Sequence, residues 1–209
     1  IRLLSSLTEQ IQGESVRPLP MRYPQGAEKT LIETCTGREV PQTVASGKAG
    51  IPADCGCVVM NVTSVSTLGK YLKTGIPLIS KRLTVEGDAV AEPQNIEVPI
   101  GTLYRDVVAA CGGIKESVQL GKVIFGGPMM GGAAPGLDYP VLKQNNGLIL
   151  LSRKAAAVPE PGPCIRCGRC ITACPMGLEP VLIAEAFEQK DYEALEKRSV
   201  DLCVSCGSC

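Results

Sequence analysis

The first third of the chain contains short stretches of helical and strand-like hydrophobic spacing. Apolar residues at helical spacing predict helices over residues 28–36, closed by Gly37, and over residues 64–74. A short apolar run at 57–61 follows a loop rich in glycine and proline, and it predicts a buried strand. Helical spacing over residues 1–12 is typical of the end of a larger domain.

Beyond residue 78 the hydrophobic spacing becomes that of strands. The pattern predicts four strands, over residues 80–85, 95–99, 122–125 and 147–151. Thr102 is expected to cap a helix that ends at Ala110, before two glycines. The order strand–strand–helix–strand suggests a small grasp-like sheet domain.

The last part of the chain contains two cysteine runs separated by predicted helices. An Ala/Pro-rich linker over 155–163 comes first, and helices are expected over 178–189 and 192–198. The first run has the C-x2-C-x2-C-x3-C-P spacing of bacterial iron–sulfur ligands, and it consists of Cys164, Cys167, Cys170 and Cys174. The second run repeats C-x2-C-x2-C with Cys203, Cys206 and Cys209.

This spacing predicts two 4Fe–4S clusters with crossed ligation. In two-cluster ferredoxins the cysteine that precedes the proline ligates the other cluster. The first cluster is therefore assigned to Cys164, Cys167 and Cys170, and the second to Cys174, Cys203, Cys206 and Cys209. Zinc is the alternative, but four-cysteine zinc sites use two separate pairs rather than three cysteines in a row and a Cys-Pro.

Composition narrows the function further. The 209 residues are 44% hydrophobic, and 21 basic residues balance 21 acidic ones, so no charge excess favours nucleic acid or an anionic membrane. Histidine is absent, which excludes Ser–His–Asp and Cys–His catalysis and His-ligated metals within this sequence. No apolar stretch approaches the ~20 residues that span a bilayer. The metal-type cysteine spacing and the lack of a signal peptide favour a reducing compartment.

Two further groups of residues are predicted to have structural and not functional roles. Cysteines outside the runs are predicted to be small buried hydrophobes, and they are Cys35, Cys55, Cys57 and Cys111. The glycine-rich stretch 126–132 lacks the Lys-Ser/Thr of a phosphate loop, so a turn against the sheet is predicted. The chain opens with Ile1, and the Cys-Pro that would complete the first cluster does not follow Cys209. Both features predict an internal piece of a longer protein.

Several short segments, together with the cysteine runs, resemble the C subunit of the Rnf complex over essentially the whole chain. These segments are Tyr23-Pro-Gln-Gly-Ala-Glu-Lys29, Gly37-Arg-Glu-Val-Pro41, Asn61-Val62, Gly87-Asp88, Gly126-Gly-Pro-Met-Met-Gly131 and Cys164-Ile-Arg-Cys-Gly-Arg-Cys170. The resemblance implies a peripheral protein on the cytosolic face of the membrane. It implies that electrons pass from NADH through FMN to the clusters, in a complex that couples NADH and ferredoxin chemistry to ion movement. The partners implied are the integral-membrane and iron–sulfur subunits of that complex, with ferredoxin as an indirect partner.

A more distant resemblance, to the flavin subunit of respiratory complex I, implies FMN contacts. That family lines its FMN site with a Tyr-x-x-Gly-Glu-Glu segment, which Tyr23, Gly26 and Glu28 match at the same spacing. Asn61 matches the second asparagine of the family's Asn-Asn-Val-Glu-Thr segment. Ala27 and Met60 replace the remaining Glu and Asn.

The resemblances imply a multidomain chain of α/β and α+β class. Residues 1–79 are expected to be the C-terminal part of a Rossmann-like FMN/NADH-binding domain, and residues 80–135 a β-grasp, soluble-ligand-binding domain. A strand and linker over 136–160 lead to a truncated, helical ferredoxin-like dicluster module at 161–209.

Two other functions stay open at this point. A related soluble reductase with the same modules would feed a cobalamin enzyme or an amino-acid reductase instead. A relay that has lost its flavin chemistry would only pass electrons between clusters. The glycine-rich flavin loop expected before Ile1 is the feature that would distinguish the relay from the two flavin-dependent functions.

Overall fold

The computed structural model describes residues 17–41 and 50–209, so the helix predicted at 1–12 lies outside the described residues. The chain divides into two compact units. Residues 61–165 form one, here called the sheet unit, and residues 1–60 with 166–209 form the other, here called the cysteine unit. The structure is mixed α/β, with one five-stranded sheet and several short helices in the described residues.

The sheet unit contains two helices and five strands. The helices are Val62–Thr74 and Tyr104–Ala110, and the strands are β1 (Ser80–Glu86), β2 (Gln94–Pro99), β3 (Leu120–Phe125), β4 (Gly132–Ala134) and β5 (Gly147–Ser152). The strand order is β2-β1-β5-β3-β4. Strands β1 and β5 run parallel, and the other neighbours are antiparallel.

The last strand in sequence, β5, lies at the centre of this sheet. Its side chains alternate strictly, so that Leu148, Leu150 and Ser152 are buried. The two leucines pack in one core with Val85 of β1 and Val107 of the helix Tyr104–Ala110. Burying each such aliphatic side chain contributes on the order of 1.5–3 kcal/mol, so this core is the main source of stability for the sheet unit.

The Gly87-Asp88 turn follows β1 and contacts β5. Gly87 has φ of 121°, and a Cβ there would come within 2.0 Å of the Leu150 carbonyl oxygen, so only glycine fits. The carboxylate of Asp88 accepts a hydrogen bond from the Ser152 N–H at 2.8 Å. Hydrogen bonds from the Ser152 side chain and N–H hold the pKa of Asp88 below its usual range.

Asn145 is the buried polar residue that organises the loop before β5. Its side chain is 2% exposed, and its Oδ1 accepts hydrogen bonds from the Leu142 N–H at 2.6 Å and from the Tyr104 hydroxyl at 3.2 Å. Burial raises the pKa of Tyr104, and the hydrogen bond to Asn145 opposes that shift. The amide therefore fixes both the loop and the aromatic ring that packs beneath it.

The cysteine unit consists of short helices and loops. Its described α-helices are Glu28–Thr36, Arg169–Ala173, Pro180–Glu188 and Tyr192–Lys197, and its 3-10 turns are Pro52–Cys55 and Val200–Leu202. Few apolar side chains are buried in its described part, among them Ile32, Leu178 and Ala186. No helix within the described ranges has both the length and the hydropathy needed to cross a bilayer.

The predicted elements are largely confirmed, with two corrections. The helix at 28–36 closes at Gly37 in the left-handed conformation, as predicted, and the second helix begins two residues early, at Val62. The strand predicted at 57–61 is wrong: the backbone there is irregular and Val58 is 85% exposed. A strand needs a hydrogen-bonded neighbour, and within the described residues all paired strands belong to the sheet unit.

Thr102 as the helix cap is the second correction. The helix begins at Tyr104 with Leu103 at the N-cap position and no side-chain cap, while the Thr102 hydroxyl donates to the Pro99 carbonyl at 2.8 Å. The hydroxyl therefore stabilises the turn after β2 instead of the helix. Strand β4 also lies in a stretch for which the hydrophobic pattern predicts no element.

Candidate iron–sulfur centre

The two cysteine loops, residues 164–170 and 203–209, have matching backbones. Both follow the pattern Cys, apolar, polar, Cys, Gly, polar, Cys. In the first loop Arg166 and Gly168 have φ of 53° and 72°, and in the second Ser205 and Gly207 have φ of 51° and 75°. The left-handed region is disfavoured for arginine and serine by about 1–2 kcal/mol per residue, so the tertiary structure imposes this conformation on both loops.

Left-handed residues at these positions turn backbone N–H groups toward a common side of the loop. Such concave arrangements of N–H groups bind anions and are found at iron–sulfur sites. Within the described part of the chain, the N–H groups of residues 204–209 have no hydrogen-bond acceptor. The second loop therefore has donors available for a negatively charged group.

A single apolar cavity of about 490 Å³ brings the second ligand set together. All four cysteines assigned to the second cluster line it, namely Cys174, Cys203, Cys206 and Cys209. Its remaining wall is mainly apolar and includes Met176, Leu178, Ile183, Phe187 and Leu195. Four thiols around a cavity with apolar walls are a donor set suited to a soft iron–sulfur group.

The thiols surround the cavity without meeting at one point. In residues 17–41 and 50–209, no three or more Cys, Asp or Glu side chains converge closely enough to hold one metal ion. A cubane differs from a single ion because each thiolate binds a separate iron at a separate corner. Cysteines spaced around a cavity therefore fit a cubane better than they fit one tetrahedral zinc.

Cys174 is delivered to the cavity by the end of the helix Arg169–Ala173. It follows the last helical residue in extended conformation, and Pro175 prevents the helix from continuing. Its Sγ accepts a hydrogen bond from the Leu178 N–H at 3.4 Å. Hydrogen bonds to cysteine sulfur are one of the means by which proteins set cluster potentials.

The two helices that separate the cysteine runs complete the cavity. The helix Pro180–Glu188 begins with proline at its first position, and Asp191 caps the helix Tyr192–Lys197 by accepting from the Ala194 N–H at 3.0 Å. Arg198 forms an ion pair with Glu179 at 2.7 Å, which ties the end of one helix to the start of the other. Since these side chains are 33% and 50% exposed, the pair contributes little stability, but it fixes how the two helices meet.

The cysteines of the first loop are divided between the two units. Cys164 is among the last residues of the sheet unit, whereas Cys167 and Cys170 belong to the cysteine unit. Cys164 and Cys167 are exposed and Cys170 is half-buried. Their assignment to one cluster stays a prediction from their spacing.

The residues expected at the FMN site fall into two groups. Tyr23, Gly26 and Glu28 lie within one turn and the start of the helix that follows it, and all three are exposed. The Tyr23 hydroxyl donates to the Cys206 carbonyl at 2.6 Å, so its proton already has an acceptor. Asn61 is the first residue of the sheet unit, where its Oδ1 caps a helix by accepting from the Thr63 N–H at 2.8 Å.

The turn around Gly26 leaves its backbone accessible. A Cβ on Gly26 would meet nothing within 4 Å, so the backbone there is open to close approach. On the same helix as Glu28, the Thr30 hydroxyl is buried and has no hydrogen-bond partner among the described residues. These features are compatible with a polar cofactor beside the turn.

The predictions for the four cysteines outside the runs and for the glycine-rich stretch have different outcomes. Of the cysteines outside the runs, Cys111 is fully buried in the sheet-unit core, as predicted, whereas Cys35, Cys55 and Cys57 are only half-buried. Burial raises the pKa of the Cys111 thiol. The glycine-rich stretch is a turn at the sheet end, as predicted, with the Gly126 N–H bonded to the Gly147 carbonyl at 2.8 Å.

Spacing alone did not predict the apolar wall of the cavity or the contact of Tyr23. Apolar spacing over residues 180–188 signals an amphipathic helix, but it does not indicate that Ile183 and Phe187 face cysteines. The Tyr23 contact joins residues that are 183 positions apart, and no local pattern reports such a pair.

Three family models match successive parts of the chain. The Nuo51 FMN-binding domain matches residues 2–70, the SLBB domain residues 82–132, and the 4Fe-4S dicluster domain residues 157–209. The third match contains all seven cysteines of the two runs.

Relatives extend over nearly the whole chain. It is 42% identical over 203 residues, 96% of its length, to the C subunit of the proton-translocating ferredoxin:NAD(+) oxidoreductase complex of Clostridium ljungdahlii. It is 41% identical over 199 residues, 94% of its length, to the Na(+)-translocating counterpart of Acetobacterium woodii. The C subunit of the ion-translocating oxidoreductase complex of Rhodobacter capsulatus is 36% identical over 87% of the chain.

The chain belongs to the family of Rnf complex C subunits. It spans only part of those relatives: the matched regions are 42%, 43% and 34% of their respective lengths. The cysteine cavity lies in the segment of the chain that matches the 4Fe-4S dicluster domain.

Proposed function

We propose that this chain is the electron-transfer part of an Rnf complex C subunit. Electrons would pass between NADH and two 4Fe–4S clusters, with FMN as the intermediate carrier. The observation that carries the proposal is the single apolar cavity lined by Cys174 together with Cys203, Cys206 and Cys209. A cysteine from one run and three from the other is the crossed set that dicluster ferredoxins use.

The cluster would supply one-electron redox chemistry, and the protein residues control its surroundings. The apolar wall, with Ile183 and Leu195, would lower the dielectric on one side of the cluster. The Leu178 N–H donates to the Cys174 Sγ, and the N–H groups of residues 204–209 would supply further hydrogen bonds to sulfur, which would stabilise the reduced, more negative state. These residues orient and tune the group, while the electron-transfer chemistry itself belongs to the cofactor.

The first cluster is proposed to use Cys164, Cys167 and Cys170. The support is the match between the two loops in residue type and in the φ angles of their third and fifth residues. Equal backbones favour equal chemistry, because the same N–H groups and thiols would point to the same side in each loop.

FMN is proposed to contact the turn that carries Tyr23, Gly26 and Glu28, with Asn61 as a further contact. The match of residues 2–70 to the Nuo51 FMN-binding domain supports this assignment. The open backbone at Gly26 and the unpartnered Thr30 hydroxyl are compatible with it. The relatives' extra length is where we expect the rest of a Rossmann-like flavin domain.

The domain boundaries are a further part of the proposal. We assign residues 1–79 to the FMN domain, 80–135 to a β-grasp domain and 161–209 to a ferredoxin-like module. Strand β5 lies outside the second of these ranges and yet at the centre of its sheet, so 136–160 contributes to that domain as well. The proposed partners are the membrane and iron–sulfur subunits of the complex, with the protein peripheral at the cytosolic face.

Iron and sulfide analysis tests the cluster assignment. The full-length protein, purified anaerobically, should contain about eight iron and eight sulfide per chain, as two cubanes require. Cys174→Ser should lower iron to about four per chain, because it removes a ligand of only one cluster. A zinc-containing, colourless protein with intact thiols would refute the proposal.

Cys57→Ser is the matched control for this experiment. Cys57 is half-buried in the same unit and its thiol donates to the Cys55 carbonyl, a contact that a serine hydroxyl can replace. The variant should keep the full iron content. Equal iron loss in both variants would mean that Cys174 acts through general stability and not as a ligand.

A further inference from the structure

The Tyr23 hydroxyl reaches the second cysteine loop from a distant part of the chain. It donates to the carbonyl oxygen of Cys206 at 2.6 Å, and the two residues are 183 positions apart. The ring itself is half exposed, so the contact is made through the hydroxyl and does not reflect burial of the side chain. Since the Tyr23 ring is not held by burial, its position is set by the turn that carries it and by the loop that it contacts.

The segment that carries Tyr23 is a well-bonded turn. The Gln25 N–H donates to the Arg22 carbonyl and the Ala27 N–H donates to the Pro24 carbonyl, both at 2.7 Å. Pro24 is buried, and the helix Glu28–Thr36 begins directly after the turn. The hydroxyl therefore projects from a rigid support, and its hydrogen bond restrains the loop more than it restrains the tyrosine.

The carbonyl that Tyr23 contacts belongs to the peptide between Cys206 and Gly207. A hydrogen bond to a peptide oxygen draws electron density from the peptide and makes its N–H a stronger donor. The Gly207 N–H has no acceptor among the described residues and lies between two ligand cysteines. It is therefore available to sulfur, and stronger donation to sulfur favours the reduced cluster.

We propose that Tyr23 is a positioning residue for the second cluster, which holds the Cys206–Gly207 peptide in place and raises the reduction potential of that cluster. This inference rests on the cluster ligation proposed above. The Tyr23 hydroxyl has one proton to donate. Its effect on reduction potential is therefore confined to the cluster bound by the loop of Cys203, Cys206 and Cys209.

Removal of the hydroxyl alone tests the proposal. Full-length Tyr23→Phe, purified anaerobically, should keep its iron and sulfide content, since the ring and the ligands remain. In a redox titration followed by electron paramagnetic resonance, the midpoint potential of one of the two clusters should become more negative. We expect about a fivefold change in the reduction equilibrium, the equivalent of one net hydrogen bond, or ~40 mV at about 59 mV per tenfold.

Two further variants make the test specific. Tyr192→Phe is the matched control, because Tyr192 is 72% exposed in the same unit and its hydroxyl has no hydrogen-bond partner in the described residues. Its potentials should equal those of the unmodified protein. In a Cys174→Ser background, where only the first cluster remains, adding Tyr23→Phe should leave the remaining potential unchanged.

The possible outcomes separate this inference from the proposed function. If the unmodified protein lacks two clusters, the ligation proposal fails before any variant is compared. If two clusters are present and Tyr23→Phe leaves both potentials unchanged, raises one, or shifts both equally, the role of Tyr23 is refuted. Selective loss of the second cluster in Tyr23→Phe, with Tyr192→Phe intact, would support the positioning role, whereas loss of both clusters would refute it.

Discussion

The sheet unit and the cysteine unit differ in the kind of interaction that can keep each of them folded. Twelve buried side chains form one contiguous core in the sheet unit, among them Val85, Val107, Leu148 and Leu150. The described part of the cysteine unit has few buried apolar side chains, and a group of its apolar side chains lines a cavity bordered by four cysteines. A unit without a sufficient core needs another source of stability, and metal ligation supplies one in small domains.

The comparison indicates that metal ligation would contribute to folding mainly in the cysteine unit. Thiolates bound to the proposed second cluster would be ligands and also crosslinks between Cys174 and the loop of residues 203–209. The sheet unit, in contrast, is stabilised by hydrophobic burial and by hydrogen bonds such as those of Asn145. Removal of the metal should therefore destabilise mainly the cysteine unit, and a change in the hydrophobic core should destabilise mainly the sheet unit.

Removal of iron should produce the largest difference between the units. When a chelator strips the clusters anaerobically, we expect amide protons in residues 166–209 to lose protection from exchange, because the cavity loses its crosslinks. Amide protons of β1 and β5 should keep their protection. Hydrogen exchange followed by mass spectrometry measures both, and protection that persists in residues 166–209 would contradict the comparison.

A cavity in the sheet core should have the opposite effect. Leu150 is fully buried in the central strand, and Leu150→Ala should lower the free energy of unfolding of the sheet unit by about 2–5 kcal/mol. Iron content should stay unchanged at temperatures where the sheet remains folded. Leu72→Ala is the control, because Leu72 is 75% exposed and its loss should cost less than about 0.5 kcal/mol.

Acid should destabilise the sheet unit by a smaller amount through Asp88. The pKa of this carboxyl is lowered in the folded state by its hydrogen bonds to Ser152. The stabilisation is therefore present above the unfolded-state pKa of about 3.9 and is lost as pH falls through the folded-state value. Denaturant midpoints between neutral and acidic pH measure this loss.

Asp88→Asn provides the control for the acid experiment. Asparagine can still accept a hydrogen bond from the Ser152 N–H but does not titrate, so its denaturant midpoint should fall less steeply with acid. Equal slopes in both proteins would exclude Asp88 as a source of the pH dependence.

Features that depend on neighbouring residues could be predicted from the amino-acid sequence. Cysteines two residues apart must share a loop, so both cysteine runs could be recognised without a structure. Gly37 and Gly75 end their helices in the left-handed conformation, since glycine adopts it at little cost.

Features that depend on distant partners required the folded chain. The apolar run at 57–61 meets the local requirements of a strand but has no strand beside it in the described residues, and Thr102 bonds to Pro99 instead of capping a helix. The hydrophobic pattern predicts strand β5 but not its position at the centre of the sheet. The contact between Tyr23 and Cys206 is of the same kind, because the free energy of such pairings depends on how the whole chain packs, which local spacing does not encode.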